Sequence, residues 1–243
     1  AIKDDGCSLH GDWRANYTSL KEHEDQVRKQ YGDELAEGLM DKTTLGQHLE
    51  KFGDELSIVA TGAIAKKGNV PGGEVRVIYD GTDGIFLNKG IRIRDQVRFP
   101  TAPDVKAVMA ELYQEGGSCF MLLFAISKAH RRVPVLEEDW GRQACQIKGS
   151  AATTAQARKT RAKPGEPLPP LRRSDFSAKE LAEDVFLNCV GTFGVTSAGY
   201  WWGRAGGAVM RVGHYFVGYP VSYTHHRAHD TRGNIERRGD VEK

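Results

Sequence analysis

Cys119-Phe120-Met121-Leu122-Leu123-Phe124-Ala125-Ile126-Ser127-Lys128-Ala129-His130 is the stretch on which the reading of this chain turns. Every residue from Cys119 to Ile126 is apolar, a run far too short to span a bilayer. Gly116-Gly117 leads into it and Ser127-Lys128 leads out, so it predicts a largely buried strand. Ahead of it, Pro103 to Gln114 predicts a helix, with Pro103 and Asp104 in the first turn and Val105, Val108, Met109 and Leu112 on one face. Further back, Gly68-Asn69-Val70-Pro71-Gly72-Gly73 is a turn signal before the β-branched Glu74-Val75-Arg76-Val77-Ile78-Tyr79-Asp80. With Ser57 to Ala60 and Ile64 on its other side, this predicts a hairpin.

Outward from this centre the pattern changes. Ser19 to about Leu56 reads as helices, with Leu35, Leu39, Leu45 and Leu49 among charged residues and Asp41 as a candidate cap. Trp140 to Ile147 and Val185-Phe186-Leu187 suit strands. Ser177 to Glu183 suits a short helix capped by Ser177. Gly149 to Ser174, with the basic cluster Arg158 to Lys163 and the Pro-rich Pro164 to Pro170, reads as a solvated insertion. Ser197 to Val217 reads as a helix despite five glycines, each of which weakens a helix by roughly 1 kcal/mol. Tyr200-Trp201-Trp202 is expected to be buried packing. After Pro220 no apolar periodicity remains.

With 40% hydrophobic and 27% charged residues, the 243-residue chain has an ordinary globular balance, which excludes a mainly disordered or membrane-spanning class. It begins at Ala1, consistent with a fragment, and Lys3, Asp4 and Asp5 break any leader-like apolar core. The expected setting is intracellular, cytoplasmic or nuclear. Cys7, Cys119, Cys145 and Cys189 have neither zinc-ligand nor disulfide-framework spacing, and three of the four sit in apolar contexts and read as small core residues. Acidic residues outnumber basic ones before Ser57, whereas Lys148 to Arg173 holds seven basic residues and one acid, Glu166. A polyanion would prefer the second region.

Three blocks carry a resemblance. Arg76-Val77-Ile78-Tyr79-Asp80-Gly81 with Asn88 and Ile91, then Phe124 to His130, then Thr192-Phe193-Gly194-Val195-Thr196-Ser197-Ala198-Gly199 resemble, in order, three blocks of retroelement reverse transcriptases. The likeness covers roughly residues 58 to 218, the fingers and palm of a retrotransposon-type Pol polyprotein, here degenerate and truncated. It implies an α+β fold: a palm-like antiparallel sheet packed by helices, with a partial fingers region. With the compositional reading, the expected segments are an acidic helical segment (1–56), a fingers-like region (57–118), a first palm part (119–147), a basic Pro-rich insertion with a short helix (148–184), a second palm part (185–219) and a polar tail (220–243).

The resemblance also implies site residues. Arg76, Asp80, His130, Phe193 and Gly194 fall at nucleotide-facing positions, and Lys128, Arg131 and Arg132 at nucleic-acid-facing ones. Active relatives hold Mg²⁺ with palm carboxylates, which bridge the primer hydroxyl and the triphosphate. Ala125 stands where the first of these aspartates belongs, and no Tyr-x-Asp-Asp follows Gly218. The expectation is therefore a catalytically inactive descendant of an RNA-directed DNA polymerase, with no catalytic or metal-binding residue and no cofactor of its own. Its expected partner is nucleic acid, RNA template or DNA primer; no membrane or disulfide partner is expected. His225, His226 and His229 are too loosely spaced to read as a metal site. Two alternatives stay open: a non-catalytic nucleic-acid-binding module, and a vestigial or interaction protein, with Pro164 to Pro170 as a polyproline ligand or the tail read in a shifted frame.

Overall fold

Val27, Tyr31 and Glu34 are spaced by four and three residues, which puts them on one face of a helix, and all three are buried. They belong to α2 (Glu24–Ala36), which follows the short α1 (Thr18–Glu22) in this computed structural model. The structure describes residues 13–66, 73–93, 101–114, 126–161 and 171–217. α2 ends where Gly38 takes a φ of 70°. The Gly38 amide then donates to Leu35 O at 3.1 Å and the Leu39 amide to Glu34 O at 2.9 Å, a Schellman ending.

That ending aims the chain into β1 (Met40–Thr44), a strand within the stretch the sequence predicted as helices. Asp41 sits inside β1 and is not a cap. The cap of α3 (Leu45–Phe52) is Thr44, in a reciprocal box with Gln47. Next come the predicted hairpin strands β2 (Thr61–Ala65) and β3 (Val75–Tyr79), antiparallel with Thr61 opposite Tyr79 and Ala65 opposite Val75. Along β3, Val75, Val77 and Tyr79 point inward and Arg76 outward, the alternation of a half-buried strand. The free edge of β2 is covered by the N-terminal segment: Tyr17 N–H donates to Thr61 O, and Thr61 N–H to Asn16 Oδ1, both at 3.0 Å.

α4 (Leu87–Gly90) and α5 (Ala102–Gln114) follow. Trp140 to Ile147, predicted as one strand, is a 3-10 turn over Glu137–Gln143 and then the two-residue β4 (Ala144–Cys145). The predicted insertion opens instead as α6 (Ala151–Arg161), with Ala151, Ala152 and Ala155 buried. Small side chains let this helix pack closely, so an Ala/Thr stretch with no large apolar residue still joins the core. α7 (Ala178–Leu181) is capped by Ser177 as expected, β5 (Asp184–Asn188) includes the predicted Val185 to Leu187, and α8 (Thr196–Val217) closes the described chain.

The fold is α+β, with a three-stranded antiparallel sheet in the order β1-β5-β4 and the separate β2-β3 hairpin. β5 is central, pairing Met40 with Asn188 on one side and Ala144 with Leu187 on the other. Val185 and Leu187 are fully buried, each contributing about 1.5–3 kcal/mol. Ile58, Val59, Leu45 and Tyr31 pack into the same core, and Trp13 stacks on Phe176 with ring centroids 5.8 Å apart.

The chain divides into two units, Ala1–Arg92 with His130–Ala198, and Ile93–Ala129 with Gly199–Lys243. The sheets and core just described belong to the first. In the second, Thr101 N–H donates to Asp104 Oδ2 at 2.7 Å at the start of α5. Trp201 is 53% exposed, contrary to the packing expected of it, and meets Tyr200 edge to face. The expected strand up to Ala125, the Pro-rich Pro164 to Pro170, the tail histidines and the 220–243 tail lie outside the described residues. Cys145 and Cys189 are free thiols, Cys145 buried. Among the described residues no helix is long and apolar enough to cross a membrane.

Candidate functional site around Phe193

β5 ends at Asn188, and the chain must turn before α8 begins at Thr196. Two glycines make that turn possible. A Cβ on Gly191 would lie 2.8 Å from His130 O, so the backbones of the 130 and 191 regions approach as only glycine permits. Gly194 has a φ of 101°, and a Cβ there would sit 1.7 Å from Tyr79 O. The loop is thus seated against the end of β3, where Tyr79 N–H donates to Phe193 O at 3.1 Å.

Asn88 locks this seat. Its Nδ2 donates to Gly194 O at 2.7 Å and to Thr82 Oγ1 at 2.8 Å, while its Oδ1 accepts the Thr196 amide at 2.9 Å. One side chain therefore ties the turn after β3 to the loop and satisfies an otherwise unpaired amide at the start of α8.

Phe193, held this way, is 41% exposed. The Arg76 guanidinium lies 5.4 Å from its ring centroid, within cation–π range. His130 meets the ring edge to face, centroids 4.5 Å apart at 79°. Residues from three distant parts of the sequence so form one aromatic and basic surface. Arg76 has no carboxylate partner among the described residues, which leaves its N–H donors available to an anion.

Asp80 stands beside this surface with its oxygens already committed. The Thr82 and Asp83 amides donate to Oδ1 at 3.0 and 2.9 Å, and the Tyr17 hydroxyl donates to Oδ2. Burial alone would raise its carboxyl, but the Asp83 amide, the Tyr17 hydroxyl, the Thr82 amide and Arg14 outweigh this and hold it below the ordinary value. Its role here is to shape the turn after β3, whose Thr82 hydroxyl Asn88 holds.

The three basic residues expected to face nucleic acid part company. Arg132 is exposed in the first unit. Lys128 is exposed, with a φ of 52°, and belongs to the second unit. Arg131 turns inward: its side chain is only 8% exposed and its Nη2 pairs with Glu34 Oε2 at 2.5 Å. Its Nη1 donates to Asn188 Oδ1 at 2.8 Å, with Gly191 O at 3.5 Å. A guanidinium so enclosed is not offered to a phosphate backbone.

Sequence reasoning missed Glu34, Gln143 and Asn188, which form the polar layer behind the loop. Gln143 Nε2 donates to Asn188 O at 3.0 Å, and Asn188 Nδ2 returns the bond to Gln143 O at 2.9 Å. A signal was present for Glu34, since a carboxylate on the Val27 and Tyr31 face of a helix requires a buried cation. Among the described residues, no three His, Cys, Asp or Glu side chains come together to hold a metal ion. The alanine side chain at 125 has no oxygen, so that position does not fit a Mg²⁺ ligand.

No protein-family model matches the chain, and no curated protein matches it significantly.

Proposed function

We propose that the chain is a reverse-transcriptase-like fingers and palm portion that has lost polymerisation and keeps a surface for nucleotide or single-stranded nucleic acid at Phe193. The observation that carries this reading is the meeting of Arg76, His130 and Phe193 around one ring. In the sequence they belong to three separate blocks, each resembling the polymerase family in its own residues.

The chemistry suits the reading. A half-exposed phenyl face stacks on a base of any identity, and a guanidinium beside it binds phosphate oxygens. The sheet with β5 at its centre, flanked by α2 and α3, is on this reading the remnant of a palm, and the β2-β3 hairpin the remnant of fingers. Loss of polymerisation rests on Ala125, because two-metal phosphoryl transfer needs carboxylate ligands that alanine does not supply.

Two measurements on the full chain test it. Primer extension on an RNA template with Mg²⁺ or Mn²⁺ should give no product; robust incorporation overturns the inactive assignment. Filter binding of a single-stranded oligonucleotide at two ionic strengths should show affinity that drops steeply with salt. Absence of binding at low salt removes the nucleic-acid surface and favours a vestigial chain.

A further inference from the structure

We infer that Arg131 is a positioning residue, and that the buried Glu34–Arg131 pair holds the Phe193 loop in its ligand-facing geometry from behind. The part concerning ligand rests on the nucleic-acid reading above; the part concerning the loop does not.

The guanidinium is used as a fork. Nη2 takes Glu34 on α2 at 2.5 Å, and Nη1 takes Asn188 at the end of β5 at 2.8 Å and faces Gly191 O at 3.5 Å. Gly191 opens the loop that Phe193 tops, and Thr192 Oγ1 lies 3.5 Å from Gln143 Oε1 in the same polar layer. Arg131 also follows His130 directly, so fixing its side chain fixes the backbone that carries the imidazole onto the Phe193 edge. One ion pair thereby backs both the loop that carries Phe193 and the backbone that carries His130. Its anchor, Glu34, is supplied by a helix about 100 residues away in sequence, |i−j| being 97.

A buried ion pair contributes little net stability, and well-packed apolar replacements are often neutral, whereas removing one partner strands a charge. Positioning therefore explains the pair better than stability does. Lysine cannot replace the fork, because one ammonium cannot hold Glu34, Asn188 and Gly191 in the same planar geometry.

The test compares the wild-type chain, the double variant Glu34→Leu/Arg131→Met, and Arg131→Lys. Amide exchange is read at Gly191, whose N–H donates to Val133 O at 2.9 Å, and at Tyr79, whose N–H donates to Phe193 O. In both variants these amides should exchange about tenfold faster or more, while amides between β2 and β3 hold their wild-type rates. Affinity for a single-stranded oligonucleotide should fall by about the same factor. Unchanged exchange at Gly191 and Tyr79 in a folded double variant overturns the inference, whatever the binding result. Faster exchange with unchanged oligonucleotide affinity overturns its ligand-facing half. If the wild type binds no oligonucleotide, the nucleic-acid reading fails by itself and the exchange data still decide the role of Arg131 in the loop.

Discussion

The Tyr79 amide donates to the Phe193 carbonyl at 3.1 Å, across 114 positions of sequence, and the Tyr79 carbonyl occupies the space where a side chain on residue 194 would be. β3 is thus extended on its outer edge by the loop before α8. The loop that carries the exposed Phe193 ring is thereby pinned to a strand, the rigid mounting that the proposed recognition surface calls for.

Gly194→Ala should be severely destabilising. The added methyl would overlap Tyr79 O at 1.7 Å, and the φ of 101° is costly for any L side chain. The loop must unseat or the end of β3 must move, at a cost of about 2 kcal/mol or more. Urea denaturation gives the value directly, and a loss below about 0.5 kcal/mol would show that the seat is soft.

Asn88→Ala removes three hydrogen bonds at once, those to Thr82, Gly194 and Thr196. The expected loss is about 1–3 kcal/mol. Asn88→Asp keeps an acceptor for the Thr196 amide but turns a carboxylate oxygen towards Gly194 O. It should not restore stability, and chemical denaturation of both variants beside the wild type separates a clamp from a spacer.

The hairpin, β5, α5, the Ser177 cap and α8 were legible because their signals are local: alternation, a turn cluster, a capping serine. The strand Met40-Asp41-Lys42-Thr43-Thr44 was not, because polar residues on an edge strand are stabilised by pairing with β5 rather than by their own propensity. Its one local clue was Gly38 after α2. The α6 region was read as solvated since alanines seldom announce burial; they pack into the core, and the start of that helix is tied down by Glu183 and Glu180, which accept from Ser150 and Thr154. Of the site, Arg76, His130 and Phe193 could be named from sequence, whereas their contact and the inward turn of Arg131 depend on Glu34, a partner too distant for any local pattern.

Glu180 gives the protein an acid-sensitive joint. Its carboxylate accepts from the Thr154 hydroxyl first, then from Ser177 and Ser150, and is held at about 2, against 4.5 for an ordinary glutamate. The folded value is lower, so the unfolded chain takes up the proton first as pH falls. The stabilisation is whole above 4.5 and is lost as pH falls through about 2. Because the group is only partly buried, solvent screening keeps the effect modest. Thermal melts across that window should show a shallower acid limb for Glu180→Gln than for the wild type; parallel limbs would assign the acid loss to other carboxylates.

On the proposed nucleic-acid reading, the Phe193 surface makes two kinds of contact that salt can tell apart. Phe193→Ala removes a stacking platform and leaves charge unchanged, so it should weaken single-stranded oligonucleotide binding by about 1–3 kcal/mol at every salt concentration. Arg76→Ala removes one cation, so it should lower the slope of log affinity against log salt by about one while leaving part of the stacking intact. His130→Ala keeps both and loses only the edge contact at 4.5 Å, so its effect should be the smallest of the three. Fluorescence anisotropy over a salt series measures all of these together. Equal slopes for Arg76→Ala and the wild type would mean that the guanidinium serves the Phe193 ring alone, and that the anion contact must be sought at Arg132 instead.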